Sequence, residues 1–436
     1  MVATSADEYS QGPGSVVVEK IAITPLGQSE EFEISTGGWL EFSIHEDILD
    51  SIITGKIEIQ DTQNLPQLLN LKGGEFISIV FRTPSLNSIF FSGNITKIGE
   101  GVSSPPYSRV YAIEFASSEL ISSTVQGDIR KIYKGPISET VKKIFEEYLA
   151  STSLSTSLRR PKQCFIEGTF GPSNETFNIT GWTPITAIRK LAAKALPANP
   201  SYRKPTFLFF ERCDDGQAGG GFFFTSLGRL WSMGPVRRYN NQVKNLGMKG
   251  IDDYFSINWM VEGERPDLIT NIKKGAFGRS LLMNDLVKRM TTNQDVDAIE
   301  DIMLNEENPL EGALMDFPEA KPVEFRVDSE QHHSDGSETY VTPHPEVLKL
   351  IRKDAMNRLL FNQVLTIGVS GDSERSIGEI VNLSIMSSES PSGGDPPEDK
   401  FLSGNYIITA LAHIVNGKTD SYETVMELSK DSNIRG

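Results

Sequence analysis

Hydrophobic and polar positions alternate over short runs in the first third of the chain. Trp39–His45 sets Leu40, Phe42 and Ile44 against polar neighbours. In Gly55–Asp61, Ile57 and Ile59 point one way while Lys56, Glu58 and Gln60 point the other. A period of two is what a sheet with one wet face requires. Val16–Thr24, Glu75–Arg82, Ile89–Ile98 and Arg109–Ala116 add strand-length runs bounded by Gly, Pro, Asn or Ser. These six short strands predict a barrel or sandwich. Between them, Glu46–Ile53 and Leu65–Leu71 read as short helical or loop excursions.

The period changes near Ser117. After Pro136, a favoured first helical residue, Ile137, Val141, Ile144, Phe145, Tyr148 and Leu149 line one helical face. A second helix opens at Thr183-Pro184, buries Ile185, Ile188, Leu191, Ala192 and Ala195, and stops before Pro197. Gln163–Gly168 and Glu175–Thr180 read as strands between the two helices. Thr206–Arg212 and Gly221–Thr225 follow as a β-pair around the glycine-rich loop CDDGQAGGG. Val243–Glu262 and Leu268–Lys273 read as mixed strands and turns, and Ser280–Met290 as helical. A last helix, Pro345–Leu360, leads into strands at Val364–Val369, Glu379–Ile385, Gly404–Val415 and Tyr422–Lys430, with a polar Pro/Gly-rich connector at Ser387–Lys400. The chain therefore reads β, then mixed α/β, then β again.

Composition narrows the classes. A length of 436 residues suits about three domains, and no apolar run reaches the roughly 18 residues of a membrane span. The opening MVATSADEYSQGPG has neither the basic nor the apolar region of a signal peptide. Cys164 and Cys213 make no disulfide framework or zinc spacing and read as reduced thiols of a protein assembled in the cytoplasm. The net charge of −16 is concentrated: Asp295–Glu338 holds fourteen acidic against two basic residues. That segment reads as a solvated excursion, or as a docking surface for a basic partner or a lining that repels nucleic acid. So acidic a chain lacks the footprint of a duplex binder.

Catalytic constellations are absent from the pattern. His332, His333 and His344 sit in or beside the acidic segment without metal-ligand spacing, and His413 lies inside a strand pattern as a structural side chain. His45 completes the five histidines. There is no GxSxG elbow, and AGGGFFF leads into a strand with no GK[ST]. With 58 acidic residues, paired carboxylates carry no information by themselves. No catalytic, cofactor-binding or metal residue is assigned, and the expectation is a protein that is not an enzyme and carries no cofactor. Phe207, Phe209, Phe210, Phe222, Phe223 and Phe224 are expected to be buried, core on one face of the hairpin and interface on the other. Trp182, Trp231 and Trp259 are read as packing anchors.

Five stretches in order resemble the baseplate hub family of contractile, T-even-like phage tails, related to late-control-D hubs and to the N-terminal parts of type VI secretion spike proteins. They are FFSGNITKIG with RVYAIEFASSELI; RKIYKGPISETVKKIFEEYL; TPITAIRKLAAKALP with TFLFFERCDDG and GFFFTSLGRLW; VEGERPDLITNIKKGAFGRSLLMNDLVKR; and GNYIITALAHIVN with YETVMELSKD. The resemblance implies a mostly β, α+β chain in which two tail-tube-like antiparallel barrels are interleaved with a mixed α/β domain. The first barrel would span 1–117, the mixed domain 118–201 and 240–290, the acidic excursion 291–344, and the second barrel 202–239 and 345–436. It further implies a homotrimer presenting six similar barrels, placed in the virion baseplate between a hexameric tail tube and a trimeric spike. DNA would pass through without sequence-specific binding, with no membrane insertion. Baseplate wedge and tape-measure proteins are further expected partners. The chain closes at Gly436 with no OB module or β-helical repeat, so the spike is expected as a separate polypeptide. A tail-associated polysaccharide hydrolase or a carbohydrate-binding adhesion module stand as alternatives.

Overall fold

The structure, a computed structural model, describes residues 13–84, 86–104, 108–150, 162–171, 175–199, 206–213, 220–241, 256–263, 269, 273, 278–285, 290–297, 323–328, 363–387, 397–399 and 401–430. The first section forms β1 (Val17–Thr24), β2 (Phe32–Glu33), β3 (Trp39–Asp47), β4 (Thr54–Asp61), α1 (Leu65–Leu68), β5 (Phe76–Arg82), β6 (Ile89–Ile98), β7 (Val102–Ser104) and β8 (Ser108–Ala116). Alternation decides which way each strand faces: Ile57 and Ile59 are buried, while Lys56 is exposed. The strands pair antiparallel in the order β2-β1-β5-β6-β8-β4-β3, with β7 on β8. They wind round a core that includes Ile23, Phe42, Ile57, Ile79, Phe81 and Phe115.

The middle section forms α2 (Ser118–Gln126), β9 (Ile129–Lys134), α3 (Ile137–Ile144) running into a π-helical turn at Phe145–Leu149, β10 (Gln163–Ile166), β11 (Thr176–Trp182), α4 (Pro184–Lys194), β12 (Phe207–Arg212), β13 (Gly221–Ser226) and α5 (Leu227–Ser232). The predicted faces of α3 and α4 are both buried, in one core with Ile129, Tyr133 and Ile179. α2 inverts the usual pattern. Its buried residues are Ser118, Glu119, Ser122 and Ser123, while Leu120 and Val125 are 37 % and 75 % exposed.

The last section adds β14 (Pro235–Asn240), β15 (Ile257–Glu262), β16 (Gly278–Asp285), β17 (Met290–Asp297), β18 (Val323–Asp328), β19 (Gln363–Ser370), β20 (Ile380–Ser384), β21 (Gly404–Asn416) and β22 (Ser421–Lys430). The order β15-β19-β22-β21, with β20 on β21 and β14 parallel to β20, encloses a second β core of Ile367, Leu383, Ile407, Leu411, Met426 and Leu428. Among the described residues no strand ladder closes either β module into a complete barrel. In the second, a single bridge between Asn240 and Ser256 spans the gap between β14 and β15.

The mostly β, α+β class stands, and several local expectations are corrected. Ser280–Met290, predicted helical, supplies β16, which pairs antiparallel with β17 and parallel with β18. A short apolar run such as Leu281-Leu282-Met283 suits either element by pattern, and pairing on both edges settles it. Residues 240–290 are expected in the mixed domain, yet β15 ladders onto β19 in the second β module. The phenylalanine hairpin, expected in the second barrel, forms its own three-stranded sheet, with β10 parallel to β13. Both of its faces are core. Phe207, Phe209, Phe222 and Phe224 pack with the helices; Leu208, Phe210 and the half-buried Phe223 pack against the second β core. The predicted helix Pro345–Leu360, His332, His333, His344 and most of Asp295–Glu338 lie outside the described residues.

The two β modules are joined as one sheet. β3 pairs antiparallel with the C-terminal half of β21, from Ala410 opposite Asp47 to Asn416 opposite Glu41. Val415 and Tyr422, from the second module, belong to the core of the first. Phe81 is in edge-to-face contact with Phe42, His413 and Tyr422, at centroid distances of 5.1, 5.8 and 5.4 Å. Gly371 is required here, because a Cβ would lie 1.9 Å from the Tyr422 ring. We expect Phe81→Ala to cost about 3–5 kcal/mol, read as a lowered urea midpoint, because its cavity opens in the aromatic cluster that binds the modules together.

Candidate functional site

The loop between β3 and β4 touches all three cores. Ile48 is buried in the second β core, Ile52 in the helical core and Ile53 in the first β core. The loop bends from one body to the next because each apolar side chain serves a different one. Its backbone is tied as well: the Ile48 N–H donates to Thr409 O at 2.9 Å, and Arg189 of α4 donates to Leu49 O at 3.1 Å. Ser51 Oγ donates to Phe209 O at 3.0 Å.

Around this loop lies a buried charged cluster. Lys162, just before β10, is ion-paired with Glu119 of α2 at 3.1 Å and with Glu211 of β12. Glu211 also accepts the Ile53 N–H at 3.1 Å and the Ser117 hydroxyl at 2.8 Å. Ser117 occupies the N-cap position of α2, yet its hydroxyl serves Glu211 and makes no cap bond. Burial works against the Lys162 ammonium, but Glu119 and Glu211 outweigh it and hold its pKa above the ordinary lysine value. Arg212 lies over the Phe223 ring at 4.6 Å. A cavity of about 60 Å³, large enough for a few waters, adjoins Lys162, Arg212, Cys213, Ile53 and Ser92.

A second polar tie fastens the modules on the far side of the seam. Thr83 Oγ1 donates to Gly371 O at 2.7 Å, and Asn87 Nδ2 donates to Glu374 at 3.0 Å. Arg237 of β14 reaches Asp372 and Glu374, both at 3.2 Å, and Arg375 pairs with Glu379 at 3.0 Å. Tyr239 donates its hydroxyl to Asp372 at 2.9 Å.

The outer face of the joined sheet runs unbroken across β22, β21, β3, β4 and β8. By register it carries Glu423, Val425 and Glu427, then Ala410, Ala412 and Ile414, then Glu41, Ser43 and His45, then Lys56 and Glu58, then Ala112 and Glu114. Among these residues five are carboxylates and one is a lysine. Lys56 is paired with Glu58 at 2.8 Å. This face is smooth, partly polar and net acidic.

The histidines and cysteines do not converge on the junction. His45 is exposed beside Ser43 at 2.9 Å on the outer face. His413 is fully buried, its Nδ1 hydrogen-bonded with the Tyr422 hydroxyl at 2.6 Å. Burial raises the Cys164 thiol to about 12 and pushes Cys213 well up, so neither is a poised nucleophile. Among the described residues no three His, Cys, Asp or Glu side chains gather as a metal site. Of the three tryptophans read as anchors, Trp231 packs against the second β core, Trp182 stacks with Lys190 at 3.9 Å, and Trp259 is 39 % exposed. The residues that matter at the junction, Glu46, Glu119, Lys162 and Glu211, do not stand out in the sequence. The available signal is a charge set directly after an apolar run, as in Phe207–Glu211.

Both the charged cluster and the buried histidine have measurable consequences. Lys162→Met leaves Glu119 and Glu211 facing each other in apolar surroundings. We expect a loss of about 3–5 kcal/mol in urea unfolding at pH 8, smaller at pH 5, where a carboxyl takes up a proton. His413 is held neutral by burial, its pKa lowered from 6.5 to about 3. The unfolded chain therefore binds a proton that the native state refuses, and stability is lost as pH falls from 6.5 towards 3. Between pH 6 and 4, His413→Gln should lower the slope of stability against pH by about 1.4 kcal/mol per pH unit.

No protein-family model matches the chain, and no curated protein matches it in sequence. Solved structures do share its fold. A tail protein from Neisseria meningitidis MC58 superposes with a TM-score of 0.52 at 13 % identity, over 94 % of this chain and 96 % of that one. The 43 kDa tail protein of prophage MuSo2 from Shewanella oneidensis gives 0.52 at 10 % identity, over 94 % and 98 %. The E. coli type VI secretion system component c3393 gives 0.45 at 11 %, over 97 % and 79 %. The chain has the fold of phage tail proteins.

Proposed function

We propose that this chain is the structural hub of a phage tail baseplate, three copies forming a ring of six similar β modules. Such a ring adapts a hexameric tail tube to a trimeric spike and lets DNA pass during injection. The observation that carries this reading is the β3–β21 ladder: it sets two independently cored β modules side by side in one polypeptide. A closed ring repeats one patch per subunit, so three identical single-module subunits offer only three faces. Two modules per chain offer six. The tail-protein fold supports the same assignment.

The acidic outer face suits the wall of the channel. Like charge on carboxylates and phosphates leaves DNA no counterions to release, so it slides without adhering. The role is structural and needs no catalytic group.

The oligomer is read by native mass spectrometry with negative-stain imaging. The expected result is three copies of the 48.2 kDa chain in a threefold ring with a central hole, formed alone or on addition of the spike. A particle that stays monomeric with its spike and shows no pore overturns the proposal. Within the ring, replacing Glu41, Glu58 and Glu423 by lysine should make it retain duplex DNA at about 50 mM salt, where the native ring retains none.

A further inference from the structure

Glu46, the penultimate residue of β3, is a carboxylate in the junction of three bodies. It is 2 % exposed and directly precedes the loop that feeds all three cores. Oε1 accepts the Cys213 N–H at 3.1 Å, where the chain leaves β12, while Oε2 meets no hydrogen-bond donor. A buried carboxylate oxygen without a donor suits the protonated, neutral group and penalises the ionised one. A cavity lined by Cys213 and Arg212 lies on the neighbouring side.

We propose that the Glu46 carboxyl is a proton-controlled latch: protonated, it holds the end of β12 and the 371–379 segment against β3; ionised, it loosens that three-way contact.

The surrounding charges do not fix Glu46 in one state. From β12 come Arg212, the Cys213 thiol and, one residue earlier, Glu211, which is already engaged by Lys162. The 371–379 segment presents the Ile377 amide, which favours the ionised form. The charged residues of that segment are committed elsewhere: Asp372 and Glu374 to Arg237, Arg375 to Glu379. From β22 comes Tyr422, whose ring neighbours His413 of β21. His45 and Asp47 adjoin Glu46 on β3 itself. Burial outweighs the pull of Cys213, Arg212 and Ile377 and lifts the Glu46 carboxyl from 4.5 to about 7. Acid favours the closed latch, and opening becomes progressively more favourable up to about neutrality.

Amide hydrogen exchange on the full chain tests this, read in peptides covering 46–53, 207–213 and 376–383 and corrected for intrinsic exchange. The expected opening of these three segments rises about tenfold per pH unit from 4.5 to 7 and levels off above, while β4 and β5 do not change with them. Glu46→Gln should abolish that rise. Cys213→Ala, which removes the neighbouring thiol that favours the ionised carboxylate but keeps the backbone bond, should move its midpoint to higher pH, so the proposal remains testable should Glu46→Gln not fold. Segments that exchange without pH dependence, or that keep the same dependence in a folded Glu46→Gln protein, overturn the latch. So does an unshifted midpoint in Cys213→Ala.

Discussion

The organisation of the molecule depends on β3 having two hydrogen-bonded neighbours from different modules, β4 on one edge and β21 on the other. A strand left at a module edge exposes a row of unpaired backbone groups, a template for aggregation. Pairing the two edges with each other removes that liability and fixes the modules at the spacing of neighbouring strands. Register is set by burial: Ile44 and His413 face the interior across from each other, while Ser43 and Ile414 face outward. A slip of one residue would bury Ser43 and expose Ile44. The seam therefore fixes the spacing and register of one module against the other.

The third body is attached differently. The phenylalanine hairpin is a sheet buried on both faces, one against helices and the other against the second β core. Apolar contact alone leaves such a sheet free to slide. The buried polar contacts Lys162–Glu119, Lys162–Glu211 and Glu211–Ser117 supply direction, because ion pairs and hydrogen bonds hold only at short distances and favourable angles. Hydrophobic burial thus gathers the three bodies, and charge pairs at the β3–β4 loop specify how they meet.

How much of this was legible in the sequence depends on the range of each interaction. Strands such as β4, β21 and β22 and the helices α3 and α4 announce themselves through period alone, because one wet and one dry face repeat locally. α2 did not, because its dry face is Ser118, Ser122 and Ser123 and its wet face carries Leu120 and Val125. The serines are buried because polar partners wait for them: Asn94 accepts from Ser118, and Ser123 accepts from the Ile185 N–H. Those partners come from other elements, so no local window shows them. The junction is hidden for the same reason. Glu46, Glu119, Lys162 and Glu211 are separated by dozens of residues, and only the fold brings them together. The ordered resemblance of five stretches indicated the fold before any of these contacts was visible, and the tail-protein likeness agrees with it.

Two buried titratable groups on the seam strands, Glu46 and His413, act on stability in opposite directions. The native state holds a proton on Glu46 that the unfolded chain releases between pH 4.5 and about 7, so this group stabilises less as pH rises through that window. His413 is the reverse. The unfolded chain holds a proton below 6.5 that the native state refuses down to about 3, so this group destabilises as pH falls. The windows overlap from 4.5 to 6.5, where one proton bound by the native state offsets one bound by the unfolded chain and the net slope from the pair is near zero. Global stability from this pair is then flat across the range in which the Glu46 junction changes state. The fold keeps its overall stability while the contact between β3 and the end of β12 responds to the proton.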